Sequence, residues 1–211
     1  MIKAFRHDDD VDELICNTYV VGRRGKPCIV IDMGDKTDNV ENYIKANNTK
    51  VLGLLLTHAH FDHIRGVKHF LNSFDYSIPV YLEEEDYEML MTDSMNGAEE
   101  EHEKLNIDFD PVLVKDEQVL TFGELKIKVI HTPFHTQGSS CFLSEEDNAL
   151  FTGDTLFKGS IGRTDFQGGD AQEVFPSLMK LKALSDLLVC YPGHGGITKL
   201  GEEKKNNPFF R

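Results

Sequence analysis

The 211 residues lack several features that would commit a chain to a specialised class. Cysteine is sparse. Cys16, Cys28, Cys141 and Cys190 are scattered without a C-x-x-C pair, which excludes a thiolate zinc knuckle and a dense disulfide framework and fits a reducing cytosol. Long hydrophobic runs are missing too. The longest, Val51 to Leu56, contains a glycine and is far too short to span a bilayer. The N-terminus runs from Met1-Ile2-Lys3 into Asp8-Asp9-Asp10 where a signal peptide needs an apolar stretch, so neither secretion nor membrane insertion is expected and a cytoplasmic location is. Positive charge is short as well: 22 Lys and Arg face 36 Asp and Glu, and the net charge of -14 opposes a grip on phosphate backbones. Nucleic acid is not an expected partner.

What is present is an ordinary globular mixture, 40% hydrophobic and 27% charged, with no repeat, low-complexity tract or Pro/Ser linker to divide it. The length allows one domain, residues 1–211, with a core that needs no staples. Apolar and β-branched runs predict strands at 2–6, 14–21, 28–32, 51–56 and 78–82, with helical spacing over 38–47 and 61–74 between them. The second half predicts strands at 112–120, 125–131, 140–144, 149–152 and 187–191, and a helix over 171–184. Strands alternating with helices in both halves indicate a layered α/β architecture.

The segment from about 83 to 110 differs in composition. It holds twelve Asp and Glu against one Lys, Lys104, while the other 183 residues carry a net charge of only -3. A thin stripe of Tyr87, Leu90 and Met91, and a break at Met95-Asn96-Gly97, read as two short helices in a solvated acidic insertion. A lid or mouth near a site is the alternative.

The chemistry is concentrated at strand ends. Val51 to Leu56 leads into Thr57-His58-Ala59-His60-Phe61-Asp62-His63, three imidazoles and a carboxylate that have no use in a core without hydrogen-bonding or metal partners. In an extended chain His58 and His60 point the same way, while Asp62 and His63 open the next helix in another direction, so the turn is suited to two metal ions. Three more strands end in Thr132-Pro133-Phe134-His135, Gly153-Asp154-Thr155 and Pro192-Gly193-His194-Gly195, which places further ligand types at carboxyl ends of strands, where sites gather in open α/β layers.

T-H-A-H-F-D-H at 57–63, H-T-P-F-H-T at 131–136, T-G-D-T-L-F at 152–157 and P-G-H-G at 192–195 resemble, in order, the motif set of the metallo-β-lactamase superfamily. Gly159 to Phe166 and the tail Leu200 to Phe209 are similar to the short glyoxalase II-like (hydroxyacylglutathione hydrolase-like) members. The resemblance implies a four-layer αββα sandwich of two similar halves with the metal site at one edge of the sheets. It implies two divalent ions, zinc foremost, with iron or manganese compatible with the same all-N/O donors. His58, His60 and His135 would hold the first, Asp62, His63 and His194 the second, and Asp154 would bridge together with a water or hydroxide. No cysteine falls in a ligand position. Two departures stand out: Phe134 occupies a position where glycine is usual, and Gln137 replaces a common proline. A bulky ring at Phe134 would reshape the pocket wall, so Phe134 and Arg163 are the candidate substrate contacts, with a structural ion pair as the alternative for Arg163.

The implied reaction is hydrolysis of a small anionic thioester by the metal-bridging hydroxide, with Asp154 and Asp62 as catalytic residues and Asp62 able to take the proton. A thioester is apt because its thiolate leaves with little acid assistance. No G-x-S-x-G elbow is present. The two-domain glyoxalase II enzymes carry a C-terminal helical domain with basic residues for glutathione, and a counterpart of that domain is not expected here. Gly162 to Gln167 also resembles single-iron persulfide dioxygenases of the same fold, in which the equivalents of His58, His135 and Asp154 hold the iron. A non-enzymatic metal-binding protein is the remaining alternative.

Overall fold

The computed structural model describes residues 1–6, 15–34 and 38–210. The first half contributes β1 (Ile2–Phe5), β2 (Thr18–Gly22), β3 (Cys28–Ile31), β4 (Val51–Leu55), β5 (Val80–Glu83) and β6 (Val112–Val114), which form one sheet in chain order. The second half contributes β7 (Val119–Phe122), β8 (Leu125–His131), β9 (Ser140–Ser144), β10 (Ala149–Gly153), β11 (Val189–Pro192) and β12 (Thr198–Lys199), again neighbours in chain order. Both sheets are mixed. β1, β2 and β3 pair antiparallel and β3 to β6 parallel, whereas in the second sheet only β10 and β11 run parallel.

Alternation along the strands builds three apolar layers, and three layers of core separate four layers of structure. Tyr19, Val21, Ile29 and Ile31 of the first sheet face Ile127, Val129, Phe142 and Phe151 of the second. The intervening residues Val20, Val30 and Leu54 face outward onto α1 (Asn39–Ala46), α2 (Phe61–Ile64) and α3 (Val67–Asn72), through Val40, Ile44, Ile64, Val67 and Phe70. On the far side Ile130, Cys141, Leu143 and Leu150 pack against Leu178 and Leu181 of α6 (Val174–Lys182) and Leu200 of α7 (Leu200–Asn206). The expected sandwich of two similar halves is therefore present: two mixed sheets flanked by helices.

Three expectations change in detail. The strand expected over 112–120 is two strands in two different sheets. Lys115 to Gln118 turn the chain between them, with Glu117 at φ +65° and the Gln118 amide donating to the Lys115 carbonyl. The helix expected over 61–74 breaks at Arg65-Gly66, because the Gly66 amide donates to the Met33 carbonyl of the neighbouring loop. The strand expected over 14–21 begins at Thr18, and residue 14 lies outside the described residues. The tail helix α7 and β12 were not anticipated. In the acidic segment, α4 (Tyr87–Met91) and α5 (Asp93–Asn96) separate at Thr92, and Gly97, at φ +90°, ends the second. No helix of the described residues is long and apolar enough to cross a membrane.

Candidate metal centre

The carboxyl ends of β4, β8, β10 and β11 open on the same edge of the sandwich, and the loops after them carry all seven expected ligands. His58, His60 and His135 converge so that one ring nitrogen of each lies within 4.8 Å of the others; Asp62, His63 and His194 form a second such set. Asp154 stands between the sets. Its Oδ2 is 3.5 Å from His135 Nε2 and 3.8 Å from His194 Nε2, and its Oδ1 is 3.3 Å from His63 Nε2.

Outer hydrogen bonds fix which nitrogen three of the rings present. His58 Nδ1 donates to Thr57 Oγ1 (3.1 Å), His63 Nδ1 to Asp32 Oδ2 (2.9 Å) and His135 Nδ1 to the Arg163 carbonyl (2.8 Å). With Nδ1 so engaged, each of these three rings turns its Nε2 toward the centre. His60 presents Nδ1 instead, 2.9 Å from His135 Nε2. Asp32 also accepts from the Thr57 amide (2.7 Å) and hydroxyl (2.8 Å), and holds φ at +54°, a conformation rare for a non-glycine residue. Gly193 is needed beside it all: a Cβ there would meet His63 Cε1 at 2.6 Å and collide with the Asp154 carboxylate.

The donor set fits divalent ions on a structural test. His58 Nε2, His63 Nε2 and Asp154 Oδ1 are buried and make no hydrogen bond, a cost that folded proteins accept where a further ligand completes the group. The protonation states agree for the first set. Burial and His63 hold His58 well below the ordinary histidine range, and burial with His135 brings His60 to about 4, so both rings are neutral, the form that binds a metal. In the second set burial opposes charge but loses. Cys16, Asp32, Asp62 and Asp154 raise His63, Asp154 and Asp62 raise His194, and the histidines hold both carboxylates down. An ion entering there displaces protons.

Above the ligands lies a cavity of about 490 Å³. Phe61, Met95, Phe157, Ile161 and Phe166 give it apolar walls, and Glu100 and Glu101 stand at its mouth. The acidic segment thus contributes a wall, the mouth rather than the purely solvated face. Arg163 lines the cavity, but its Nε and Nη2 both bond the Asp165 carboxylate at 2.6 Å and its guanidinium lies 3.7 Å over the Phe166 ring. Its fork is occupied as an ion pair, the alternative raised for it above. Phe134 requires a correction: its ring is fully buried and is not among the side chains that line the cavity, so it is an interior residue and not a substrate contact. Asp32, Thr57, Asp86 and the Arg163 carbonyl were not singled out from sequence. Asp32 had a signal, a carboxylate directly after a buried strand that ends at the same edge; Asp86 had none within its run of acids.

A family model described as "Metallo-beta-lactamase superfamily" matches residues 11–194. "Probable metallo-hydrolase YqgX" of Bacillus subtilis is 32% identical over 186 residues, covering 87% of each chain, and "Hydroxyacylglutathione hydrolase GloC" of Haemophilus influenzae is 31% identical over 189 residues, covering 88% of each. Among solved structures, BLEG-1 B3 metallo-beta-lactamase superposes with a TM-score of 0.88 at 32% identity over 100% of this chain and 99% of its own. TTHA1623, in a di-iron-bound form, gives 0.81 at 33% identity over 93% and 96%, and ETHE1 from Myxococcus xanthus gives 0.74 at 25% identity over 99% and 83%. The ligand-bearing loops that the sandwich gathers at one edge all fall inside the matched span, and the chain belongs to the metallo-beta-lactamase superfamily of metallo-hydrolases.

Proposed function

We propose that the protein is a thioester hydrolase of glyoxalase II type that works with two divalent ions, zinc foremost. The observation that carries this reading is the pair of complete three-residue donor sets sharing Asp154 at the base of one cavity. A relative named hydroxyacylglutathione hydrolase supports the reaction class, and a di-iron neighbour supports a site for two ions while leaving the metal open. Two ions in such a donor set supply Lewis acidity toward a carbonyl and activate water near neutral pH.

The chain's own residues do the rest. Phe61, Met95 and Phe166 exclude bulk water and give the acyl group an apolar wall. Asp62, which borders the cavity and accepts from His194 Nε2 at 2.8 Å, is placed to receive a proton during attack. A thiol of pKa about 8.5 leaves as its thiolate without a dedicated acid. The thiol carrier meets a mouth whose one lining Arg or Lys among the described residues, Arg163, is already paired and whose exposed carboxylates are Glu100 and Glu101. An anionic substrate is therefore drawn by the metal-loaded base rather than by a basic rim. The four free cysteines, all buried, are consistent with a cytoplasmic protein.

The single-iron dioxygenase reading uses His58, His135 and Asp154 and leaves Asp62, His63 and His194 without a task. An anaerobic assay against a panel of acyl thioesters, with a cephalosporin as a control for lactam cleavage, separates the readings. The hydrolase cleaves a thioester at the same rate with and without oxygen. Oxygen consumption with a persulfide, and no anaerobic thioester cleavage, would overturn the proposal.

A further inference from the structure

Asp86 is counted among twelve acids of a charged segment, yet it is fully buried. Burial pushes its carboxyl up, so its placement has a cost that its contacts must repay. Its Oδ2 accepts from the Ala59 amide (2.9 Å), which lies between the ligands His58 and His60, and from Thr136 Oγ1 (2.8 Å), on the residue directly after the ligand His135. Its Oδ1 accepts from the Gly138 amide (2.6 Å). The hydroxyl network agrees with the direction of the Thr136 link. Thr136 Oγ1 spends its proton on Asp86, so at 2.8 Å it accepts from Ser139 Oγ, which in turn accepts from the Thr136 amide (3.0 Å).

The loop is also moulded onto the carboxylate. A Cβ at Gly138 would lie 2.6 Å from both the Cβ and the backbone nitrogen of Asp86, so only glycine lets the His135 loop close over it. The three ligands of the first set come from two loops on two different sheets, after β4 and after β8. One buried carboxylate, brought by a third segment, bonds both loops. The second set has a different support, since His63 is held by Asp32.

We propose that Asp86 is a positioning residue for the first metal set: it fixes the His58-Ala59-His60 turn against the His135 loop so that the three imidazoles converge before an ion arrives. Outer-shell partners of this kind typically change metal affinity by roughly 10- to 100-fold. Asn at position 86 retains one acceptor and turns an NH₂ group toward donors, which breaks at least one link without changing volume.

The test uses the full-length chain in two backgrounds, His194→Ala to leave the first set intact and His60→Ala to leave the second. Co²⁺ is titrated into metal-stripped protein, with visible absorption and chelator competition reporting affinity, beside thermal unfolding of the metal-free form. Asp86→Asn is expected to weaken Co²⁺ binding roughly 10- to 100-fold in the His194→Ala background and to change its ligand-field bands. In the His60→Ala background the change stays within about threefold, less than the loss of one net hydrogen bond. Thr136→Val, which removes a single hydroxyl link, weakens the first set roughly fivefold and provides the answer should Asp86→Asn fail to fold. Equal losses in both backgrounds would show that Asp86 only stabilises the fold, and unchanged affinity for the first set in either variant would equally overturn the proposal.

Discussion

The base and the rim of the cavity are built by different rules. At the base, His58, His63 and His135 each have one ring nitrogen tied to an oxygen behind it, and five of the seven ligands are buried, with Asp62 and His194 half-buried. At the rim, Glu100, Glu101, Arg163 and Phe166 are exposed, and the Arg163 guanidinium is held by its neighbours Asp165 and Phe166. Buried donors with orphaned atoms suit the base to a metal, because no hydrogen-bond partner among the described residues satisfies them. Exposed side chains at the rim are free to vary with the substrate. The base therefore specifies chemistry and the rim selectivity.

Two variants probe the contrast, the larger effect at the base. Asp154→Ala removes the carboxylate shared by both donor sets and is expected to empty the site and lower turnover on the order of a thousandfold or more, read by elemental analysis and kcat together. Retained metal and activity would erase the distinction between base and rim. At the mouth, a combined Glu100→Gln and Glu101→Gln variant removes two exposed charges that lie in front of the site. Its kcat/KM for an anionic thioester is expected to rise roughly two- to fivefold at low salt, and the gain to shrink as salt is added, while a neutral thioester is unaffected. An equal change for both substrates would mean that the mouth acts through shape and not charge.

The same contrast explains what the sequence disclosed. Strands such as Val51–Leu55 and Leu125–His131 were legible because burial on both faces or on alternate faces leaves a periodic record in the residues themselves. Histidines at strand ends were legible because they have no bland use there. The break at Gly66 was not, because it depends on the Met33 carbonyl brought by a distant loop, and the division of 112–120 between two sheets was hidden because both halves are strand. Asp86 was the hardest to see. In the run Glu83-Glu84-Glu85-Asp86 a carboxylate that gathers backbone amides reads like the acids that precede it, and only the fold separates them. Phe134 failed in the opposite direction: a large ring beside a ligand suggested a wall, but its interior position makes it packing.

The central claim is a base built for two ions, and a count of bound metal tests it most directly. Protein purified without chelator and analysed for zinc, iron and manganese should hold two ions per chain, both lost in Asp154→Ala. One iron per chain, with no second ion taken up when metal is supplied in excess, would contradict it.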